Sequence, residues 1–185
     1  KPSMLIGQYE GRISEKHQAA FPKKFREILG NTVIVTKGFE SCLIVVSEKH
    51  WKTLLNRGLQ CACEGGHPHI VELMIDRGAN AWNAGLISAC KSGHRHIVEL
   101  MIEKGANDWN GGLSNACADG GNHRKEVCLL MLKNGANNFD HIPNNKDFLI
   151  YLLENGGISI DNLLPELFDE IKIFREYILS FQNFL

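Results

Sequence analysis

The strongest constraint on this chain is a stretch that repeats itself with a period of 27 residues. The run Asn56-Arg57-Gly58-Leu59-Gln60-Cys61-Ala62-Cys63-Glu64-Gly65-Gly66-His67 returns as Asn83-Ala84-Gly85-Leu86-Ile87-Ser88-Ala89-Cys90-Lys91-Ser92-Gly93-His94, and more loosely from Asn110 to Asn122. His69-Ile70-Val71-Glu72-Leu73-Met74-Ile75 is matched by His96-Ile97-Val98-Glu99-Leu100-Met101-Ile102. Gly78-Ala79-Asn80 is matched by Gly105-Ala106-Asn107 and Gly135-Ala136-Asn137. The third unit is three residues longer, with its insertion around Asn122 to Lys125. Self-similarity at a period of this size marks a row of stacked units, each of which buries its apolar face against its neighbours.

Each unit parses as two short helices. The first carries Leu59, Ala62 and Cys63 and stops at Gly65-Gly66; the second carries Ile70, Val71, Leu73, Met74 and Ile75 and stops at Gly78, suited to a left-handed C-terminal cap. Helices this short are marginal alone in water, so stacking must supply the core. The predicted core is Leu59, Ala62, Cys63, Val71, Leu73, Met74 and their counterparts.

The pattern of Ala-Cys, Gly-His, Ile-Val-Glu-Leu-Met-Ile and Gly-Ala-Asn at fixed spacing resembles the ankyrin repeat, from about Asn56 to Gly157. The usual ankyrin unit is about 33 residues and opens with Thr-Pro-Leu-His. Here Trp82-Asn83-Ala84-Gly85-Leu86 and Trp109-Asn110-Gly111-Gly112-Leu113 stand in that place, which predicts a hairpin finger cut down to a tight turn. The predicted units are 56–82, 83–109 and 110–139, with a degraded fourth over 140–157 whose Phe148 to Gly156 imitates a second helix and its glycine stop. A last helix opened by Pro165, within a segment 158–185, carries Leu167, Ile171, Phe174, Ile178, Phe181 and Leu185. That stripe reads as a cap on the stack, or else as a free partner-binding helix.

Residues 1–55 follow a different pattern. Strands are expected over Met4–Ile13, Thr32–Thr36 and Ser41–Val46, with a helix opened by Pro22 through Leu29 and another capped by Ser47 that contains Trp51 and Leu54. Ile6-Gly7, Tyr9, the Phe21-Pro22-Lys23-Lys24-Phe25-Arg26 run, Thr36 to Leu43 and the Trp51 helix resemble one half of MraZ, a family of DNA-binding regulators built from swapped-hairpin units of the AbrB type. The resemblance implies an α+β head that contacts DNA and clasps a second copy into a homodimer. The family's signature of Asp, three residues, Arg falls here on Ser14 and Gln18, which leaves Arg12, Lys16, Lys23, Lys24 and Arg26 for phosphate contact.

Charge separates the two parts. Residues 1–58 carry ten Lys or Arg against five Asp or Glu, a net of +5, while the remainder carries −6. A basic head suits an anionic surface. Lys1-Pro2-Ser3 reads as a remnant ahead of a natural start at Met4 and not as a secretory signal; no apolar run suggests a membrane span, and six cysteines without a signal suit a reducing, cytoplasmic compartment, nucleoid-associated if the head binds DNA.

The cysteines and histidines invite a zinc site, above all Cys61-Ala62-Cys63 with His67-Pro68-His69. The repeat offers a simpler reading. Cys63, Cys90 and Cys117 recur at the small buried position, His67 and His94 at a turn where they can bond local backbone, and no pair-plus-pair ligand spacing exists. No phosphate loop or nucleophile elbow stands out. The expectation is therefore a non-catalytic protein-protein interaction scaffold without metal or cofactor, whose partner meets Gln60, Ile87, Lys91, Arg95 and the recurring Trp82 and Trp109. The alternative is a DNA-binding regulator whose repeats recruit a partner. The tryptophans read either as surface anchors or as packing against the next unit.

Overall fold

A computed structural model describes residues 23–30, 32–37, 43–118, 124–143 and 145–158. The chain divides into two compact units, 1–54 and 55–185. The predicted first strand and the C-terminal helix from Pro165 lie outside the described residues.

In the first unit, α1 (Lys23–Leu29) precedes an antiparallel hairpin of β1 (Val33–Lys37) and β2 (Leu43–Ser47). The register pairs Val35 with Val45 and Thr36 with Ile44, so Val35 and Ile44 project from opposite faces. Both are exposed, as is Ile28. Among the described side chains of this unit none is buried.

Helix α2 (Glu48–Glu64) starts as expected, with Ser47 Oγ accepting the His50 N–H at 3.2 Å. It differs from expectation in its length, because the Trp51 helix and the first repeat helix are one continuous element. Units two and three are introduced by Gly-Ala-Asn turns, whereas Lys52-Thr53-Leu54 before Leu55 holds no residue that would break a helix.

The repeats alternate first helices, α2, α4 (Trp82–Ser92) and α6 (Trp109–Cys117), with second helices, α3 (Pro68–Asp76), α5 (Arg95–Glu103) and α7 (Lys125–Lys133). Helix α4 packs on both α5 and α6, and α6 on α7. Helix α8 (Lys146–Glu154) packs on α7, with Asn145 Oδ1 capping the Phe148 N–H at 3.1 Å. No first helix precedes α8 among the described residues, where a turn over Phe139–Ile142 stands in its place.

The core is written in repeat register. Leu59, Leu86 and Leu113 are fully buried, as are Val71, Val98 and Cys128. Two predicted core residues are corrected: Leu73 is 42% exposed and Met74 is half-buried, while Met101 and Met131 are fully buried. Position 73 looks away from the stack in every unit, since Leu100 and Leu130 are also only half-buried. Met74 differs from its counterparts because no repeat precedes unit one. Ile70 tells the same story, at 45% exposed against 0% for Ile97 and 1% for Val127.

Candidate interaction surface

The Gly-Ala-Asn signature resolves into two devices. The glycine and alanine end the second helix in a Schellman arrangement: the Gly78 N–H donates to Ile75 O at 2.9 Å and the Ala79 N–H to Met74 O at 2.9 Å. Gly105-Ala106, Gly135-Ala136 and Gly156-Gly157 repeat it, and the four leading glycines have φ of 96°, 101°, 108° and 71°. That backbone region penalises any β-carbon, which is why glycine recurs there.

The asparagine builds a ladder. Asn56 Oδ1 accepts from the N–H groups of Asn80 (2.8 Å) and Ala81 (3.1 Å), and its Nδ2 donates to Asn80 Oδ1 at 3.3 Å. Asn83 does the same for Asn107 and Asp108, and Asn110 for Asn137 and Asn138. One side chain on each first helix thus takes up the backbone donors of the turn that ends its unit. The tight turn expected in place of a hairpin finger is held by this amide.

Adjacent units are tied by a second repeated contact. His94 Nε2 donates to Glu64 O at 3.1 Å, with its ring over Gly66, where a β-carbon would lie 2.5 Å from the imidazole. The expected local bond of this histidine is therefore a bond to the preceding unit. Arg124 takes the same place one unit on, reaching Lys91 O and Ala118 O and bonding Ala116 O at 2.9 Å. Close helix contact comes from Gly58, Gly85 and Gly112, where a β-carbon would lie 2.9, 2.7 and 2.6 Å from the sulfur of Met74, Met101 and Met131.

On this frame, Trp82 and Trp109 open α4 and α6 and are half-buried; the equivalent Leu55 is buried. Trp109 lies near Gly135, 3.8 Å from where a β-carbon there would sit. Trp82 lines an open concavity of about 320 Å³ with Asn80, Ala81, Asn83, Ala84 and Gly105. Gln60 is exposed and Ile87, its counterpart one unit on, half-buried. Lys91 is exposed and pairs with Glu64 at 3.1 Å across units; Arg95, also exposed, pairs with Glu99 at 2.9 Å and Glu126 at 3.0 Å. Lys91 and Arg95 are thus engaged in ion pairs to neighbouring units, whereas Trp82 borders the concavity. Lys23, Lys24 and Arg26 are exposed on α1, whereas Arg12 and Lys16 lie outside the described residues.

Cys63, Cys90 and Cys117 are buried, and burial pushes the Cys63 and Cys90 thiols up to about 12. Among the described residues no group of three or more His, Cys, Asp or Glu is arranged to hold a metal ion, and no helix is long and apolar enough to cross a membrane. Sequence reasoning missed the Asn56, Asn83 and Asn110 ladder and the role of Arg124. The 27-residue recurrence of the asparagines was the available signal for the first; Arg124 follows an insertion that breaks the alignment.

A family model described as ankyrin repeats in three copies matches residues 59–142. The N-terminal segment is similar to the transcriptional regulator MraZ. It is 47% identical over 51 residues to those of Thermoanaerobacter sp. (strain X514) and Caldanaerobacter subterraneus subsp. tengcongensis, covering 28% of this chain and 36% of each relative. It is 41% identical over 54 residues to that of Alkaliphilus oremlandii, covering 29% and 38%. The chain thus spans little more than a third of the length of these relatives, and no solved structure matches it. Residues 59–142 are ankyrin repeats, preceded by a segment that matches part of MraZ.

Proposed function

We propose that the chain is a non-catalytic scaffold whose repeats present a protein-binding surface around Trp82 and Trp109, with Gln60, Ile87, Lys91 and Arg95 supplying variable contacts. The observation that carries this reading is the division of labour within each unit. Ladder asparagines, Schellman glycines and buried leucines recur, while the outward positions change from Gln60 to Ile87 and from Glu64 to Lys91. The open concavity beside Trp82 gives an aromatic anchor a place to act. The test is affinity capture with the full chain and with Trp82→Ala/Trp109→Ala. A partner kept by the parent and lost by the variant at unchanged melting temperature supports the reading; equal capture by both defeats it.

A second reading has its own support in the basic α1 and the similarity to MraZ. Here residues 1–55 form a swapped-hairpin head that pairs with a second copy and meets DNA through Arg12, Lys16, Lys23, Lys24 and Arg26; the repeats over 56–157, capped by 158–185, recruit the partner. Apolar Val35 and Ile44 on opposite faces of a two-stranded hairpin favour such pairing, since an isolated hairpin is at best marginal. Phosphate-dominated binding would weaken about 10³-fold or more between 50 and 200 mM salt for about six contacts. No affinity at low salt would remove this reading.

A further inference from the structure

The repeat frame contains its own control for one unusual contact. In repeat register the small position of the first helix and the valine position of the second are both buried, and they hold Cys63 and Val71 in unit one and Cys90 and Val98 in unit two. In unit three the same positions hold Cys117 and Cys128, and their sulfur atoms lie 3.5 Å apart. Among the described residues, this is the thiol–thiol contact across a helix pair.

We propose that Cys117 and Cys128 form a peroxide-sensitive dithiol, which hydroperoxide oxidises to a disulfide that staples α6 to α7. Three observations carry it: the two sulfurs are in contact, they sit on two helices of the same unit, and the Arg124 guanidinium is held close by at the Ala116 and Ala118 carbonyls. The hydrogen bond from Cys128, opposed by burial and helped by the charge of Arg124, holds the Cys117 thiol below its ordinary range, whereas Cys128 is held well above it by its bond to Cys117 and by burial. The thiolate is the nucleophile in such chemistry, and the Arg124 guanidinium held at the carbonyls on either side of Cys117 favours Cys117 as the attacking sulfur and Cys128 as the resolving one.

The steps balance. The Cys117 thiol releases its proton, and its sulfur attacks one peroxide oxygen; the O–O bond breaks and hydroxide leaves, taking up a proton as water, which leaves a sulfenic acid. The Cys128 sulfur then attacks the Cys117 sulfur; the S–S bond forms, the S–O bond breaks, and the departing hydroxide takes the Cys128 proton as a second water. Two thiols are oxidised and one peroxide is reduced.

The test treats the folded full chain, in a Cys42→Ser/Cys61→Ser background, with hydrogen peroxide and follows intact mass, a non-reducing peptide map and melting temperature. Expected are loss of two hydrogens from the monomer, a Cys117–Cys128 linked peptide, and a melting temperature that rises and returns with dithiothreitol. Cys128→Val, which installs the residue of units one and two, should abolish all three. Absence of the mass loss in the folded parent, a bridge through any other cysteine, or persistence of the change in Cys128→Val would overturn the proposal. The mapping of the parent decides the matter even if a variant fails to fold.

Discussion

The same seven residues, His-Ile-Val-Glu-Leu-Met-Ile, occur in α3 and in α5, and the two copies meet different surroundings. Ile97 is fully buried and Ile70 is 45% exposed; Met101 is fully buried and Met74 half-buried. Identical local sequence fixes identical helices, but burial depends on which unit lies next door. The head makes the contrast sharper still, since its apolar strands expose Val35 and Ile44 and none of its described side chains is buried. Repeats supply one another with a core, whereas a short hairpin must obtain one from elsewhere.

The comparison breaks most visibly at the paired isoleucines. Ile97→Ala should cost about 2–5 kcal/mol, the range for deleting a fully buried aliphatic side chain. Ile70→Ala should cost less than about 1 kcal/mol, because about half of the side chain's contact with water is already kept in the folded state. Urea denaturation of both variants of the full chain measures the difference. Equal costs would mean that position 70 is covered as thoroughly as position 97.

Asn83→Ala addresses the ladder within the stack. It removes the acceptor of two backbone N–H groups, from Asn107 at 2.8 Å and Asp108 at 3.2 Å. Each net hydrogen bond is worth about 1 kcal/mol, and water reaches the exposed Asn107 donor, so a loss of about 1–2 kcal/mol is expected. Hydrogen exchange at Asn107 and Asp108 should speed up, while Asn80 and Ala81 stay protected by Asn56.

Alkali offers a milder probe. Burial raises Cys63 and Cys90 to about 12 in the folded chain, while unfolded thiols titrate near 8.5. A raised folded value means that the contribution is whole below pH about 8.5 and declines as pH rises toward 12, because the unfolded state loses its protons first. The full chain should therefore lose stability over that window, and Cys90→Ala should flatten the pH slope of urea midpoints even if it lowers their level.

Much of this architecture was legible in the sequence because periodicity reports what neighbouring units must share. Gly78, Gly105 and Gly135 announced helix stops, and Leu59 with its counterparts announced the core. What periodicity could not report was the position of a unit within the row, which decides the exposure of Ile70 and Met74. Nor did it reveal contacts that skip about 24 residues, such as Asn56 with Asn80, or the joining of two expected helices into α2. Ion pairs such as Lys91 with Glu64 were likewise hidden, because they depend on stacking geometry.

That ion pair should be weak. Lys91 and Glu64 side chains are 59% and 50% exposed, so water and salt screen their attraction. A double-mutant cycle with Lys91→Ala and Glu64→Ala should give a coupling of about 0.2–1 kcal/mol that shrinks as salt is added.

The smallest expected effect on the stability of a single chain lies in the head and tests whether its apolar strands are free. Val35 is 52% exposed in β1. Val35→Thr keeps β-branching, and so its fit to a strand, while placing a hydroxyl where the outer methyl stood. At protein concentrations low enough to keep the chain monomeric, water satisfies that hydroxyl, and stability should change by less than about 0.5 kcal/mol. If copies associate through this face, the same hydroxyl enters a dry contact without a partner and weakens association by about 1–3 kcal/mol. Sedimentation of parent and variant across a concentration series separates the two, because only the second case shifts the monomer–dimer balance.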